Sequence, residues 1–263
     1  MPNLKELLKL KTKYGETQAG LTVEKVNLLL EAFDPVKIEK GFSQGRIEQR
    51  TFSFTTGFVN NYKSYFQSRK KVNAVLLFID ITGFSKRFIS KSAEEVAEYL
   101  DEYYNHVMPV LEKYEGVVEK VIGDGIICVF GEPFLELTKR QLHRKAERCS
   151  CELINGLVNT DFEVKIAFHF GEIMYYQNEC SDYWEYTMIG NALTDLFRLE
   201  GVSKPNSINF FSETYYEWLN VNDIQTKRAL QIKGKWEFTE LEKIQLQGVI
   251  HSHIRSLKIK SIT

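Results

Sequence analysis

Residues 72–86 read Val-Asn-Ala-Val-Leu-Leu-Phe-Ile-Asp-Ile-Thr-Gly-Phe-Ser-Lys, and the first nine form a largely apolar run that closes on an aspartate. A run of that length, rich in β-branched residues and followed by a glycine turn, predicts a strand buried on both faces of a sheet. Downstream, Ser92 and Glu95 make a capping box. Val96, Tyr99, Leu100, Tyr103, Val107, Val110, Leu111 and Tyr114 then recur at helical spacing, and Gly116 is expected to stop the helix. VVEKVI (117–122) and IICVF (126–130) flank Gly123-Asp124-Gly125, which predicts a tight hairpin. A second helix follows over about 138–158. EVKIAFHFG (163–171) alternates as a strand, and EIMYY (172–176) is expected to pair back onto it.

Strand, helix, strand, strand, helix, strand is the ferredoxin-like βαββαβ plan, an α+β fold with helices on one face of an antiparallel sheet. A helix near 191–199, a strand SINFF (207–211), a helix SETYYEWL (212–219) and a hairpin ALQIKGKWEFTELE (229–242) would complete the domain. The boundaries expected are a short helical N-terminal extension over 1–68, the core domain over 69–242 and a basic, peripheral C-terminal tail over 243–263.

Two carboxylates stand where buried strands meet turns: Asp80 after the first apolar run and Asp124 at the hairpin tip. Asp124 alone would serve equally well as a turn residue. Asp80 needs a partner, because a charge closing so apolar a run is costly to desolvate. If the strand and the hairpin are neighbours, the two carboxylates reach one point and repel unless a cation lies between them. Hard oxygen donors of this kind suit Mg²⁺ or Mn²⁺ with substrate phosphates completing the shell. The turn through Thr82, Gly83, Phe84 and Ser85 carries backbone amides into the next element, an arrangement suited to cradling phosphate.

The bulk properties narrow the function classes. Lys and Arg total 34 against 35 Asp and Glu, so no broad basic field invites nucleic acid. The four cysteines form no CxxC pair and are too sparse for a disulfide framework. The opening MPNLKELLKLKTKYGE lacks a signal peptide's apolar stretch and no window is long enough to span a bilayer, so a cytoplasmic protein without a membrane partner is expected. Its leucines at helical spacing predict a packing helix. Among five histidines, His251-Ser-His253 is the close pair and lacks an HExxH partner, too little for a histidine-ligated hydrolase centre.

FIDITGFS, followed 44 residues after its aspartate by EKVIGDG, resembles the paired metal-binding segments of class III adenylyl and guanylyl cyclases. Thr187-Met-Ile-Gly-Asn-Ala-Leu-Thr194-Asp-Leu-Phe-Arg198 is similar to that family's stretch for base recognition and transition-state contacts. Ile232-Lys233-Gly234-Lys235 resembles its phosphate-contacting strand end. The resemblance implies two divalent ions, Mn²⁺ or Mg²⁺, held by Asp80, Asp124 and the carbonyl of Ile81. It implies Arg198 on the α-phosphate, Lys120 and Thr187 on the base, and Lys233 and Lys235 on phosphates. Thr194 stands where the family usually has a ribose-holding asparagine, a departure that leaves a hydroxyl of shorter reach. The family builds each site from two subunits, so a homodimer with shared active sites is implied.

The base is less legible, since Lys120 and Thr187 can meet acceptors on any nucleobase. Phe78 shares a strand face with Asp80, and Trp184, Tyr186 and Met188 add bulk near Thr187, enough to shrink a purine pocket. The layout resembles the bacterial pyrimidine cyclases of Pycsar antiphage systems. That likeness implies a uridylate cyclase making 3′,5′-cyclic UMP for a separate cyclic-nucleotide-responsive effector. Cytidylate or adenylate cyclase activity, or a non-catalytic nucleotide-binding module, are the alternatives.

Overall fold

In the computed structural model, residues 64–180, 183–219 and 236–259 are described. They fall into two compact units, residues 64–71 with Met174–Ile189, and Val72–Ile173 with Gly190 to 259.

In the larger unit, β1 (Lys71–Ile81) is central and its residues from Ala74 to Ile79 are all buried, as the apolar run predicts. α1 (Phe84–Arg87) follows the glycine turn. α2 (Ala93–Lys113) starts on the expected capping box and buries Tyr103, Val107, Met108 and Leu111. β2 (Val117–Ile122) and β3 (Gly125–Phe130) form the hairpin, and β3 is buried throughout. α3 (Lys139–Leu157) opens on a second capping box, Thr138 with Gln141, and packs against α2. β4 (Val164–Cys180) as far as Ile173, α4 (Asn191–Glu200), β6 (Ser207–Phe211), α5 (Ser212–Leu219), β7 (Trp236–Phe238), β8 (Glu242–Lys243) and β9 (His253–Ile259) complete it, while the rest of β4 and β5 (Tyr183–Ile189) belong to the smaller unit. The sheet order is β2-β3-β1-β4-β6-β9-β7, and its first four members carry the ferredoxin-like plan. Each core Leu, Ile or Phe removed from water contributes about 1.5–3 kcal/mol, so a β1 with six consecutive buried positions anchors the domain.

Three expectations are corrected. EIMYY does not fold back: β4 runs on through it to Cys180, and β5 is the strand that returns, with Met174 opposite Ile189 and Tyr176 opposite Thr187. The glycine at 171 marks a close approach, since a Cβ there would lie 2.7 Å from that of Ala192. Nor does Gly116 stop α2 by its conformation. Glu115 takes the left-handed turn at φ 58°, whereas a side chain at Gly116 would meet Phe130 at 2.7 Å and Cys128 at 2.8 Å. Finally, residues 253–259 are not peripheral. β9 lies between β6 and β7, and Ile254 and Leu257 are buried. Ile254 and Leu257 stand three apart and so point to opposite faces of the strand, which leaves HIRSLKI without a period-2 apolar signal. Cys128 and Cys149 are buried thiols and Cys151 is a half-buried one.

Candidate active site

The pairing of β1 with β3 sets Ile79 opposite Ile126 and Phe78 opposite Ile127, which places Asp80 and the β2–β3 turn at the same end of the sheet. The two glycines of that turn have separate duties. Gly123, at φ 61°, makes the turn. Gly125 gives way to Phe78, whose ring would lie 2.4 Å from any Cβ there.

Asp80 and Asp124 are half-buried, and their carboxyl groups are near enough to share a hydrogen bond. Burial, then the Asp124 charge, push the Asp80 carboxyl above its ordinary range, although Lys165 pulls the other way. Burial likewise raises Asp124, against hydrogen bonds from its own backbone, from Asp80 and from the Ile81 backbone. Two adjoining carboxyl groups, each raised by burial, form a donor set that a hard divalent cation would relieve. Thr82 adds a further sign, because its Oγ1 is buried without a hydrogen-bond partner among the described residues. The residues present therefore fit a divalent metal.

Lys165 was not anticipated. From β4 its ammonium stands 3.3 Å from Asp80 Oδ2 and 2.5 Å from Glu200 Oε1 on α4. Burial lowers its pKa, but Glu200 and then Asp80 overcome that, leaving it above the usual lysine value. The available signal was a lone lysine within the strand EVKIAF, where a cation needs a partner.

The phosphate turn is only partly open. Thr82 N–H is committed to Glu163 O at 2.8 Å, and Gly83, at φ 73°, has its carbonyl taken by Lys86 and Arg87. Phe84 packs its ring on Phe88 and Tyr99, so only its backbone could reach a ligand; Ser85 is exposed. Phe78 shares the Asp80 side of β1 and meets Phe197 of α4 edge-on at 5.5 Å.

Thr194 and Arg198 are both exposed, one helical turn apart on α4. Among the described residues, no hydrogen bond or ion pair joins either of them to Asp80 or Asp124. Lys120 is half-buried on β2, just past a register shift, opposite Ile127. Thr187 is half-buried on β5 in the smaller unit. Lys233 and Lys235, and the side chains of Trp184 and Tyr186, lie outside the described residues, whereas Met188 is buried.

The sequence profile of the adenylate and guanylate cyclase catalytic domain matches residues 66–254, and the chain belongs to that family. Adenylate cyclase 1 of Rhizobium meliloti (strain 1021) is 26% identical over 196 residues, covering 70% of this chain and 28% of that protein. An uncharacterized protein of Mycobacterium tuberculosis (strain H37Rv) is 23% identical over 133 residues, 50% of this chain and 24% of the relative. The chain thus spans about a quarter of the length of these relatives. Among solved structures, the adenylyl cyclase CyaB of P. aeruginosa superposes with TM-score 0.59 at 19% identity, covering 72% of this chain and 94% of that one. The guanylate cyclase domain of RhGC from Catenaria anguillulae, in complex with GTP, gives 0.58 at 17% identity, covering 73% and 100%. At those identities the likeness is one of fold. Among the described residues no helix is long and apolar enough to cross a membrane.

Proposed function

We propose that this chain is a nucleotidyl cyclase that converts UTP to 3′,5′-cyclic UMP and pyrophosphate. The observation that carries the cyclase reading is the convergence of Asp80 and Asp124, each raised by burial, at the end of the β1–β3 pair. Asp80, Asp124 and the carbonyl of Ile81 would hold two divalent ions, Mn²⁺ or Mg²⁺. When bound, these supply charge neutralisation for the triphosphate and acidify the ribose 3′-hydroxyl that attacks the α-phosphorus. Arg198 would direct its guanidinium fork at charge growing on the α-phosphate, and the Thr194 hydroxyl would hold the ribose. Lys120 and Thr187 would meet the base, while the amides of the 82–85 turn, with Lys233 and Lys235, would hold phosphates. Because Thr194 and Arg198 face solvent, this reading assembles each site from two copies of the chain in a homodimer.

The preference for UTP rests on Phe78, whose bulk beside Asp80 leaves less room for a fused purine ring. The cellular reading that goes with it is a cytoplasmic antiphage cyclase whose product activates a separate effector. CTP is the variant of the same reading. A second reading, ATP, is favoured by the likeness to the Rhizobium meliloti adenylate cyclase. Dialysed full-length protein, assayed for pyrophosphate release with each of the four triphosphates and Mn²⁺, tests all of these. Release with UTP above the other three is expected. Preference for ATP moves the assignment to adenylate cyclase, and no release with any of them leaves a non-catalytic nucleotide-binding module.

A further inference from the structure

A second cluster of ligand-bearing side chains lies apart from the two aspartates. His169 on β4, Asp195 on α4 and His251 in the segment before β9 bring one donor atom each to within 4.8 Å of one another. Asp195 Oδ2 is 3.7 Å from His169 Nε2 and 3.6 Å from His251 Nε2. These separations exceed hydrogen-bonding distance, so the three groups converge without bonding to each other. Their side chains are only 2%, 10% and 13% exposed. His169 Nδ1 is also buried with no hydrogen-bond partner among the described residues. Phe211 walls the cluster, with its ring 5.5 Å from that of His169 and 4.9 Å from that of His251.

A carboxylate and two imidazoles brought together in such a place without hydrogen bonds to one another, one of them with a buried unpartnered nitrogen, are costly. A shared cation supplies the missing interactions. We propose that His169, Asp195 and His251 form a second cation site, separate from Asp80 and Asp124, for a divalent transition metal, Zn²⁺ by its donor set. Two imidazole nitrogens and one carboxylate oxygen suit divalent transition metals such as Zn²⁺, Co²⁺ or Fe²⁺, whereas the all-oxygen pair suits Mg²⁺ or Mn²⁺. Donors around tetrahedral zinc stand about 3.4 Å apart for bonds of about 2.0–2.1 Å. Both Asp195 distances lie within a few tenths of an ångström of that, and the less buried His251 ring is the one to close on His169.

His253, two residues on, takes no part, because its Nδ1 lies 3.1 Å from Glu213 Oε1. The ion would tie β4 and the segment leading into β9 to α4, the helix that also carries Thr194 and Arg198.

Full-length protein stripped with chelator and titrated with Co²⁺ tests the assignment, because tetrahedral Co²⁺ absorbs in the visible and Zn²⁺ displaces it. One equivalent should bind, and the signal should persist in the double variant Asp80→Asn/Asp124→Asn. In His251→Ala and in Asp195→Asn it should weaken at least about a hundredfold in affinity. His251→Ala changes the most exposed ligand, and added Zn²⁺ should raise the thermal transition of wild type but leave that of the variant where it stands without metal. Absence of the signal in wild type, its survival in folded His251→Ala, or its loss in the double aspartate variant would overturn the proposal.

Discussion

The ammonium of Lys165 lies 3.3 Å from Asp80 Oδ2, so a cation from β4 is built into the wall of the carboxylate pair. Its other partner, Glu200, closes the helix that carries Arg198. Lys165 therefore holds one Asp80 oxygen in place and favours its ionised form. Replacing it as Lys165→Met should lower turnover and raise the Mn²⁺ concentration needed for half-activity, each by about ten- to a hundredfold. Lys165→Arg should recover part of both. An unchanged metal requirement would show that the lysine only supports packing.

Thr194 and Arg198 are exposed on α4, and among the described residues neither pairs with Asp80 or Asp124. Asp80→Ala and Arg198→Ala should each be inactive, the arginine loss alone costing about a thousandfold or more. Mixed in equal amounts, they should regain partial activity, because one site of a mixed dimer then holds every group. A mixture as inactive as its parts, with subunit exchange shown independently, rules out the shared site.

Phe78 fills the space that Gly125 leaves open and meets Phe197 edge-on. Phe78→Ala should raise turnover of ATP relative to UTP, while the lost aromatic costs about 3–5 kcal/mol of stability. The ratio is the measurement, since it cancels any loss of folded enzyme. A ratio that stays constant removes Phe78 as the determinant of base size.

Glu147 is buried and accepts a hydrogen bond from Tyr215 at 3.2 Å, yet burial pushes its carboxyl up to about 7. The folded state therefore holds this proton more tightly than the unfolded state does. The associated stability is fully present below about pH 4.5 and is lost as pH rises to about 7, by an amount on the order of 3 kcal/mol. Glu147→Gln should flatten that part of the pH–stability profile and be the more stable protein at pH 8. Denaturant midpoints across the range decide it, and parallel profiles for the two proteins would refute the buried-proton account.

By itself the sequence determined the elements whose signals are local. The run from Val72 to Ile79 had to be a central strand, Ser92 with Glu95 had to begin a helix, and Gly123 and Asp124 had to turn between two strands. The two carboxylates were legible for the same reason, because each ends an element that its neighbours in sequence define. The tertiary structure alone decided what converges from distant segments. Lys165 reaches Asp80 and Glu200 only because β4 lies beside β1 under α4, and His169, Asp195 and His251 come from three separate elements. β9 enters the sheet between β6 and β7 with Ile254 and Leu257 buried on opposite faces of the strand, which nothing in their own short stretch announces. Caps and periodicities act over a few residues, whereas the register and packing that set side-chain distances depend on which strands become neighbours.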